Sequence, residues 1–357
     1  MIVNYLLKYN TVGMIIDADT ISAYYGWKKH NILIWENEKI YMSKIFKKIN
    51  KTNCINVFIE RNPKKIPVRA TNHLMINQEF VNSYMTDNIK NGSFNKVICK
   101  TPIAEQVVKK ISRNANAELI EFEPKSNFIA VEPDKNIFIH LSGVSPLKNT
   151  ISIFNAWYKS NKLKNSSAKL IIAIRRPKED NKFFHPVTNF FDYIDELAGD
   201  KHSLQLGAYS IDCLKFTNIY IIDKFLPNDV YAYLQAVAYT HVCPSLVEGF
   251  GHYIWEPAIN GRRVITTDAE PMISVARKAS VIYHLEKKVV SIRNPLRGLT
   301  LDEKKKINTL TIGIPVKEEK SVYEVFGRYM WYPKYLPFVK CYYVDEQKFS
   351  KVLSDLI

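Results

Sequence analysis

No apolar run in this 357-residue chain approaches the roughly 18 residues that a membrane-spanning helix needs. Met1–Asn10 has no sustained apolar stretch with a small-residue cleavage site, so no cleaved secretory signal is expected there. Cysteine is sparse: five residues, at 54, 99, 213, 243 and 341, with no Cys-x-x-Cys and no Cys/His pairing. That pattern argues against a structural zinc or a disulfide framework and predicts a reducing, cytoplasmic setting. The sequence carries no short-period repeat, no low-complexity tract, and no helix-turn-helix, zinc-finger or RRM-like aromatic signature, so nucleic acid is not expected as a partner. With 46% apolar and 24% charged residues the chain can bury a large core, and its length suits two domains of about 130–220 residues each.

Charge is present in excess of one sign. Fifty Lys and Arg against 35 Asp and Glu give +15, which favours an anionic partner. Residues 1–130 carry 19 basic against 11 acidic side chains and the remainder 31 against 24, so the front portion is the more basic per residue. Lys47, Lys48, Lys51, Arg61, Lys64 and Lys65 form its densest cluster. Two readings stand side by side: an AT-rich coding sequence, or a face that makes peripheral contact with anionic membrane or with a phosphorylated acceptor.

Along the chain, short β-rich runs alternate with helical spacing, the signature of parallel sheets covered by helices. In the front third strands are expected at Val12–Ile16, Asn31–Trp35, Ile55–Glu60, Leu74–Asn77 and Lys96–Cys99, with a helix over Ile103–Ile111. Glu121–Asp134, with Pro124 and Pro133, reads as a linker. The pattern then restarts with strands at Ile137–Leu141, Lys169–Ile174, Asn218–Ile222, His241–Pro244 and Arg263–Thr267, and helices at Thr150–Ser160 and Asp229–Tyr239. Ser291–Lys320 reads as a polar excursion, and Phe349–Leu356 as a closing helix. The expected fold class is α/β, with two doubly wound domains facing each other across a cleft.

The most informative segment is Pro244-Ser-Leu-Val-Glu-Gly-Phe-Gly-His-Tyr-Ile-Trp-Glu256. A strand ends at Pro244, and a turn bracketed by Gly249 and Gly251 opens a helix. Glycines at such a turn let backbone N–H groups approach an anion, and the helix N-terminus adds its positive dipole end. Glu248 and Glu256 flank the turn, and a carboxylate can accept from two vicinal hydroxyls at once, which suits sugar and ribose recognition. Taken singly these residues have plainer roles. A Glu near a helix start balances the dipole, Pro257 marks a first helical position or a kink, and Lys148 in a polar loop is a solvated lysine.

The full string resembles the donor-binding segment of GT-B glycosyltransferases, closest to the retaining family 4. Members carry a Ser, then Glu-Gly-Phe-Gly, a second Glu eight positions after the first, and a Gly before a Val/Ile-rich strand. Here these are Ser245, Glu248-Gly249-Phe250-Gly251, Glu256, Gly261 and Val264-Ile265. The resemblance implies that Glu256 holds the ribose hydroxyls, that Glu248 lies against the donor sugar as a catalytic residue, and that Gly249 and the amides of Phe250 and Gly251 face sugar and diphosphate. It also puts Thr267 on the donor side.

A second match is His140-Leu-Ser-Gly-Val-Ser-Pro-Leu-Lys148-Asn149. By the same resemblance Lys148 is the phosphate lysine and Ser145 lies on the donor side. Asn149 stands where Gly is usual, and Val144 where a second cation is usual. In the front domain, Asn10-Thr-Val-Gly13 looks like the glycine loop that meets the diphosphate. Leu74–Phe80 looks like a strand end at which relatives often carry a His; Asn77 and Gln78 are then acceptor-side residues and Glu79 a catalytic one. His73 reads as structural, and Lys100-Thr101 as a strand end with a helix N-cap. Asp17-Ala-Asp19 is discounted as a metal triplet.

The resemblance implies a GT-B architecture of two Rossmann-like domains, 1–128 on the acceptor side and 129–357 binding the donor. The implied reaction moves a sugar from a nucleoside-diphosphate-sugar donor to a hydroxyl of a glycan, lipid or protein glycan, with retention, no cofactor and no metal. A GT-B-fold sugar-nucleotide epimerase and a non-catalytic glycan or nucleotide-sugar binder are the alternatives.

Overall fold

The computed structural model describes residues 1–8, 11–126, 128–177, 185–285, 290–325, 336 and 339–357. Contacts divide the chain into two compact units. The first is Met1–Lys125 with Glu248–His252 and Ser321–Lys340, and the second is Ser126–Val247 with Tyr253–Lys320 and Cys341–Ile357. A split at 128/129 therefore leaves out the return of Glu248–His252 to the first unit.

The first unit is built on six parallel strands in the order β2-β1-β3-β4-β5-β6. These are β1 (Ile2–Leu7), β2 (His30–Ile34), β3 (Cys54–Ile59), β4 (Thr71–Ile76), β5 (Lys96–Cys99) and β6 (Ala117–Leu119). The order reverses between β1 and β3, the point at which doubly wound sheets open to ligands at the carboxyl ends of their strands. Helix Pro102–Ile111 obeys the rules for helix ends. The Thr101 hydroxyl accepts from the Ala104 amide, Pro102 takes the first turn, and Lys109 and Lys110 sit in the last turn against the dipole.

Val12–Ile16, expected as a strand, is instead the start of helix Val12–Tyr25. The Thr11 side chain caps it and Gly26 ends it in the left-handed region at φ 68°. The first strand is Ile2–Leu7, six residues too short and too mixed with Asn4 and Tyr5 to stand out by hydropathy.

An asparagine ladder crosses this sheet. Asn31, Asn4, Asn56 and Asn72 stand opposite one another in register on four adjacent strands. Asn31 Nδ2 donates to Asn4 Oδ1, Asn4 to Asn56 and Asn56 to Asn72, each at 3.1 Å. Asn56 also donates to the Ile49 carbonyl and is fully buried. A one-residue slip of any strand would break the ladder, so it fixes register among apolar strands that otherwise look alike. Asn56→Ala strands the amide of Asn4 and two acceptors. It should lower stability by about 2–4 kcal/mol in denaturant unfolding, more than a surface Asn→Ala elsewhere in the unit.

The second unit holds an eight-stranded sheet in the order β14-β13-β12-β7-β8-β11-β10-β9. These are β7 (Asp134–Gly143), β8 (Lys169–Ile174), β9 (Asp200–Leu206), β10 (Tyr209–Phe216), β11 (Ile219–Ile222), β12 (Ala238–Cys243), β13 (Arg263–Thr267) and β14 (Thr311–Ile314). All pairs are parallel except β9–β10 and β10–β11. On β8, Leu170, Ile172 and Ile174 enter one core with Phe154, Trp157, Phe190 and Phe349, while Ile171 and Ala173 enter another with Leu234. Helices cover both faces, which is why these strands read as unbroken apolar runs.

Two stretches depart from expectation. Ser291–Lys320 is no excursion: it supplies helix Leu301–Leu310, opened by a Thr300/Glu303 capping box, and the edge strand β14. The β9–β10 hairpin, turned at Gly207 (φ 55°), extends the opposite edge. Among the described residues no helix is long and apolar enough to cross a membrane.

Candidate functional site

In the second unit the strand order reverses between β7 and β12. The loop after β7 leaves through Gly143 at φ 61°, turns at Ser145 and runs through Pro146–Lys148 to Asn149. Asn149 sits at φ 56°, ψ 44°, the left-handed region that Gly adopts freely and Asn tolerates best among side-chain-bearing residues. The residue standing where glycine was expected thus keeps glycine's conformation. Ser145 is held in the turn by its amide on the Ser142 carbonyl.

The loop after β12 is tied to this one by the Leu246 amide on the Leu147 carbonyl at 2.8 Å. Thr267, fully buried at the end of β13, donates its hydroxyl to the Ser245 carbonyl at 2.7 Å; it braces the loop. The Lys148 ammonium lies 3.9 Å from the centre of the Tyr253 ring, and the Tyr253 hydroxyl is hydrogen-bonded to Ser245. Tyr253 is the second residue of helix His252–Ile259, so a cation is held against the start of a helix. One turn on, the Glu256 carboxylate accepts from Gln235 Nε2 at 2.5 Å.

The remaining expected residues gather in the first unit. Gly13 lies in the capped first turn of helix Val12–Tyr25 and not in a loop, because Thr11 already starts the helix. Asn77 Nδ2 donates to the Glu60 carboxylate, and Gln78 Nε2 donates to the Glu248 carbonyl at 2.6 Å. A Cβ on Gly249 would fall 2.8 Å from Glu79 Oε2 and closer still to Asn77 Oδ1, so only glycine lets this backbone pass. Phe250 is buried edge-on against Phe122 at 4.8 Å; its side chain belongs to the core. Gly251 has φ 93°, closed to other residues without strain, and delivers the chain into the helix.

Behind these residues lies a charged cluster that the sequence did not announce. Asp17 and Lys100, each 1% exposed, pair at 3.0 Å; Lys100 Nζ is also 3.8 Å from Glu60. His252 Nε2 meets the other Asp17 oxygen at 2.9 Å. Burial pushes the Lys100 ammonium down, but the Asp17 and Glu60 carboxylates outweigh it and hold its pKa above the ordinary value. Burial likewise pushes Asp17 up, and Lys100 and His252 reverse it, leaving the carboxyl below the usual range. Glu60, for which burial wins over Lys100, is raised. It also adopts φ 58°, a left-handed backbone on a non-glycine residue at a strand end, where strain marks functional sites. Glu79, 4% exposed, is pushed up to about 8 by burial and by the Glu60 and Glu248 charges. Among the described residues, Asn77 Oδ1, Gln78 Oε1, Glu79 Oε2 and His252 Nδ1 have no hydrogen-bond partner although buried. Buried polar atoms left without a partner are uncommon in folded proteins, and four of them belong to this cluster.

The fold is GT-B: two Rossmann-like units of this topology, matched along nearly the whole chain by solved structures of that class. A UDP-forming α,α-trehalose-phosphate synthase of Burkholderia xenovorans superposes with a TM-score of 0.51 at 10% identity, over 87% of this chain and 94% of its own. The E. coli trehalose-6-phosphate structure bound with UDP-2-fluoro glucose gives 0.52 at 8% identity, over 99% and 98%. HepE of Anabaena in complex with UDP gives 0.52 at 11% identity, over 87% and 95%. At the level of sequence no family model and no curated protein matches the chain.

Proposed function

We propose that this protein transfers a sugar from a nucleoside-diphosphate-sugar donor to a hydroxyl acceptor. The observation that carries the reading is Lys148, fixed over Tyr253 at the opening turn of a helix and at the point where the second sheet reverses order. A cation and a helix N-terminus together receive a diphosphate as it leaves, so the reading calls for no metal ion. Glu256, anchored by Gln235, takes the ribose hydroxyls, and Glu248 the donor sugar, with anomeric retention. The unpaired atoms of Asn77, Gln78 and Glu79 receive the hydroxyls of a glycan or glycolipid acceptor. UDP is the first nucleotide to try, since solved proteins of this fold were captured with UDP or a UDP-sugar.

A thermal-shift series with UDP, GDP, ADP and CMP tests the reading. A nucleotide at about 100 times its dissociation constant stabilises by roughly 2.7 kcal/mol, an easily seen rise in melting temperature. Lys148→Ala should weaken that nucleotide by about 10- to 100-fold, the range expected for a charge-assisted contact, while the unliganded melting temperature stays within a few degrees. No stabilisation by any of the four would sink the proposal.

A further inference from the structure

His252 is the residue with the least ordinary surroundings in the first unit. Four elements converge on it: helix Val12–Tyr25 brings Asp17, the end of β5 brings Lys100, the residue after β3 is Glu60, and the Gly251 turn delivers the imidazole itself. Asp17 is anchored by Lys100 on one oxygen at 3.0 Å and meets His252 Nε2 with the other at 2.9 Å. A carboxylate only accepts, so the proton of the ring is on Nε2 and Nδ1 carries the lone pair. Nδ1 is buried and has no partner among the described residues, while the Phe250 and Phe122 rings wall the imidazole at 5.6 and 6.1 Å. A histidine oriented by a buried carboxylate, with its second nitrogen unengaged, is built to take a proton.

We propose that His252 is the base for the incoming hydroxyl, with Asp17 as its positioning residue and Lys100 holding Asp17 in place. The assignment rests on the sugar-transfer reading above and adds to it a group for the proton. As the acceptor oxygen bonds to the anomeric carbon on the face from which the diphosphate departs, which keeps the configuration, its proton passes to Nδ1. The bond from that carbon to the diphosphate oxygen breaks with its electron pair on the leaving nucleoside diphosphate, and the imidazolium, stabilised by Asp17, returns the proton to solvent.

Release of UDP from UDP-glucose by the full-length protein, with water as the hydroxyl source, tests the assignment. Glutamine at position 252 can still accept a hydrogen bond but cannot take a proton. His252→Gln should therefore slow release at saturating UDP-glucose by about 100-fold or more while stabilisation by UDP persists. In the wild type, nitrogen spectra of 15N-labelled histidine at pH 7.5 should show Nε2 protonated and Nδ1 bare, with no variant needed. Release that does not depend on His252, no release by a wild type that binds UDP, or a proton on Nδ1 overturns the assignment. A wild type that UDP leaves unstabilised overturns the donor reading instead, so the two failures are told apart.

Discussion

Lys100→Met is expected to be the most damaging single change in the first unit, lowering stability by about 3–5 kcal/mol. Methionine keeps most of the buried stem but removes the charge. Among the described residues Asp17, 1% exposed, then keeps only the Nε2–H of His252 as a side-chain partner, and Glu60 loses the ammonium at 3.8 Å. Removing one partner of a buried pair leaves the other charge desolvated, which costs more than the intact pair contributes. Denaturant unfolding of the variant measures the loss, and a double variant separates charge from packing. Adding Asp17→Asn to Lys100→Met should recover part of the loss, because the stranded carboxylate is gone. Losses that simply add would mean that the pair carries no coupling. The pH dependence has a definite sign. In the wild type Asp17 is held below its ordinary value of 3.8, so its share of stability is fully present above that value and fades as pH falls through the depressed one. In Lys100→Met the penalty should shrink on acidification, as the stranded carboxylates take up protons.

Much of the architecture is legible in the sequence because parallel sheets buried on both faces write themselves as apolar runs of four to six residues. Lys96–Cys99, Lys169–Ile174 and Arg263–Thr267 are found at the expected bounds. Where the fold escapes the sequence, polarity is the reason. Ile2–Leu7 carries Asn4 for the ladder, the β9 edge is mostly exposed, and β14 follows a charged helix. Val12–Ile16 shows the converse failure: five residues with β-branched character obey a Thr cap instead of their own propensity. The strand-turn-helix around Glu248–Glu256 is legible because its glycines and its helix start lie in one contiguous string. The Asp17–Lys100–His252 cluster is not, since its members come from three distant segments and each alone has a plainer meaning. Asp17 looks like half of a discounted metal triplet, and Lys100 like the end of a strand. The one local signal is His252, an ionisable side chain directly after Glu-Gly-Phe-Gly, where a helix is about to begin.

Glu79→Gln should do the opposite of most buried substitutions and stabilise the protein at alkaline pH. With its folded pKa pushed up to about 8 from an ordinary 4.5, Glu79 holds a proton in the folded chain over a range in which the unfolded chain has lost it. The folded state binds more protons between those limits, so stability must fall as pH rises through them, by up to about 4–5 kcal/mol for a shift of this size. Glutamine resembles the protonated acid in shape and has no charge to bury. Wild type and Glu79→Gln should therefore unfold at similar denaturant concentrations near pH 5 and diverge steadily toward pH 8.5, the variant staying higher. Asp17 does not imitate this trend, because its depressed pKa acts on the acid side of the window. Glu60, raised as well, has the same sign but is present in both proteins, and the difference between them isolates Glu79. Parallel profiles would mean that Glu79 is ionised in the folded state like a surface carboxylate. The divergence bears on chemistry too. A Glu79 that keeps its proton at neutral pH offers a donor at Oε2 and cannot act there as a nucleophile or a base. If its task is to donate a hydrogen bond to a substrate oxygen, Glu79→Gln retains turnover near pH 7. If its task is to hand over the proton, the same variant is stable and inactive.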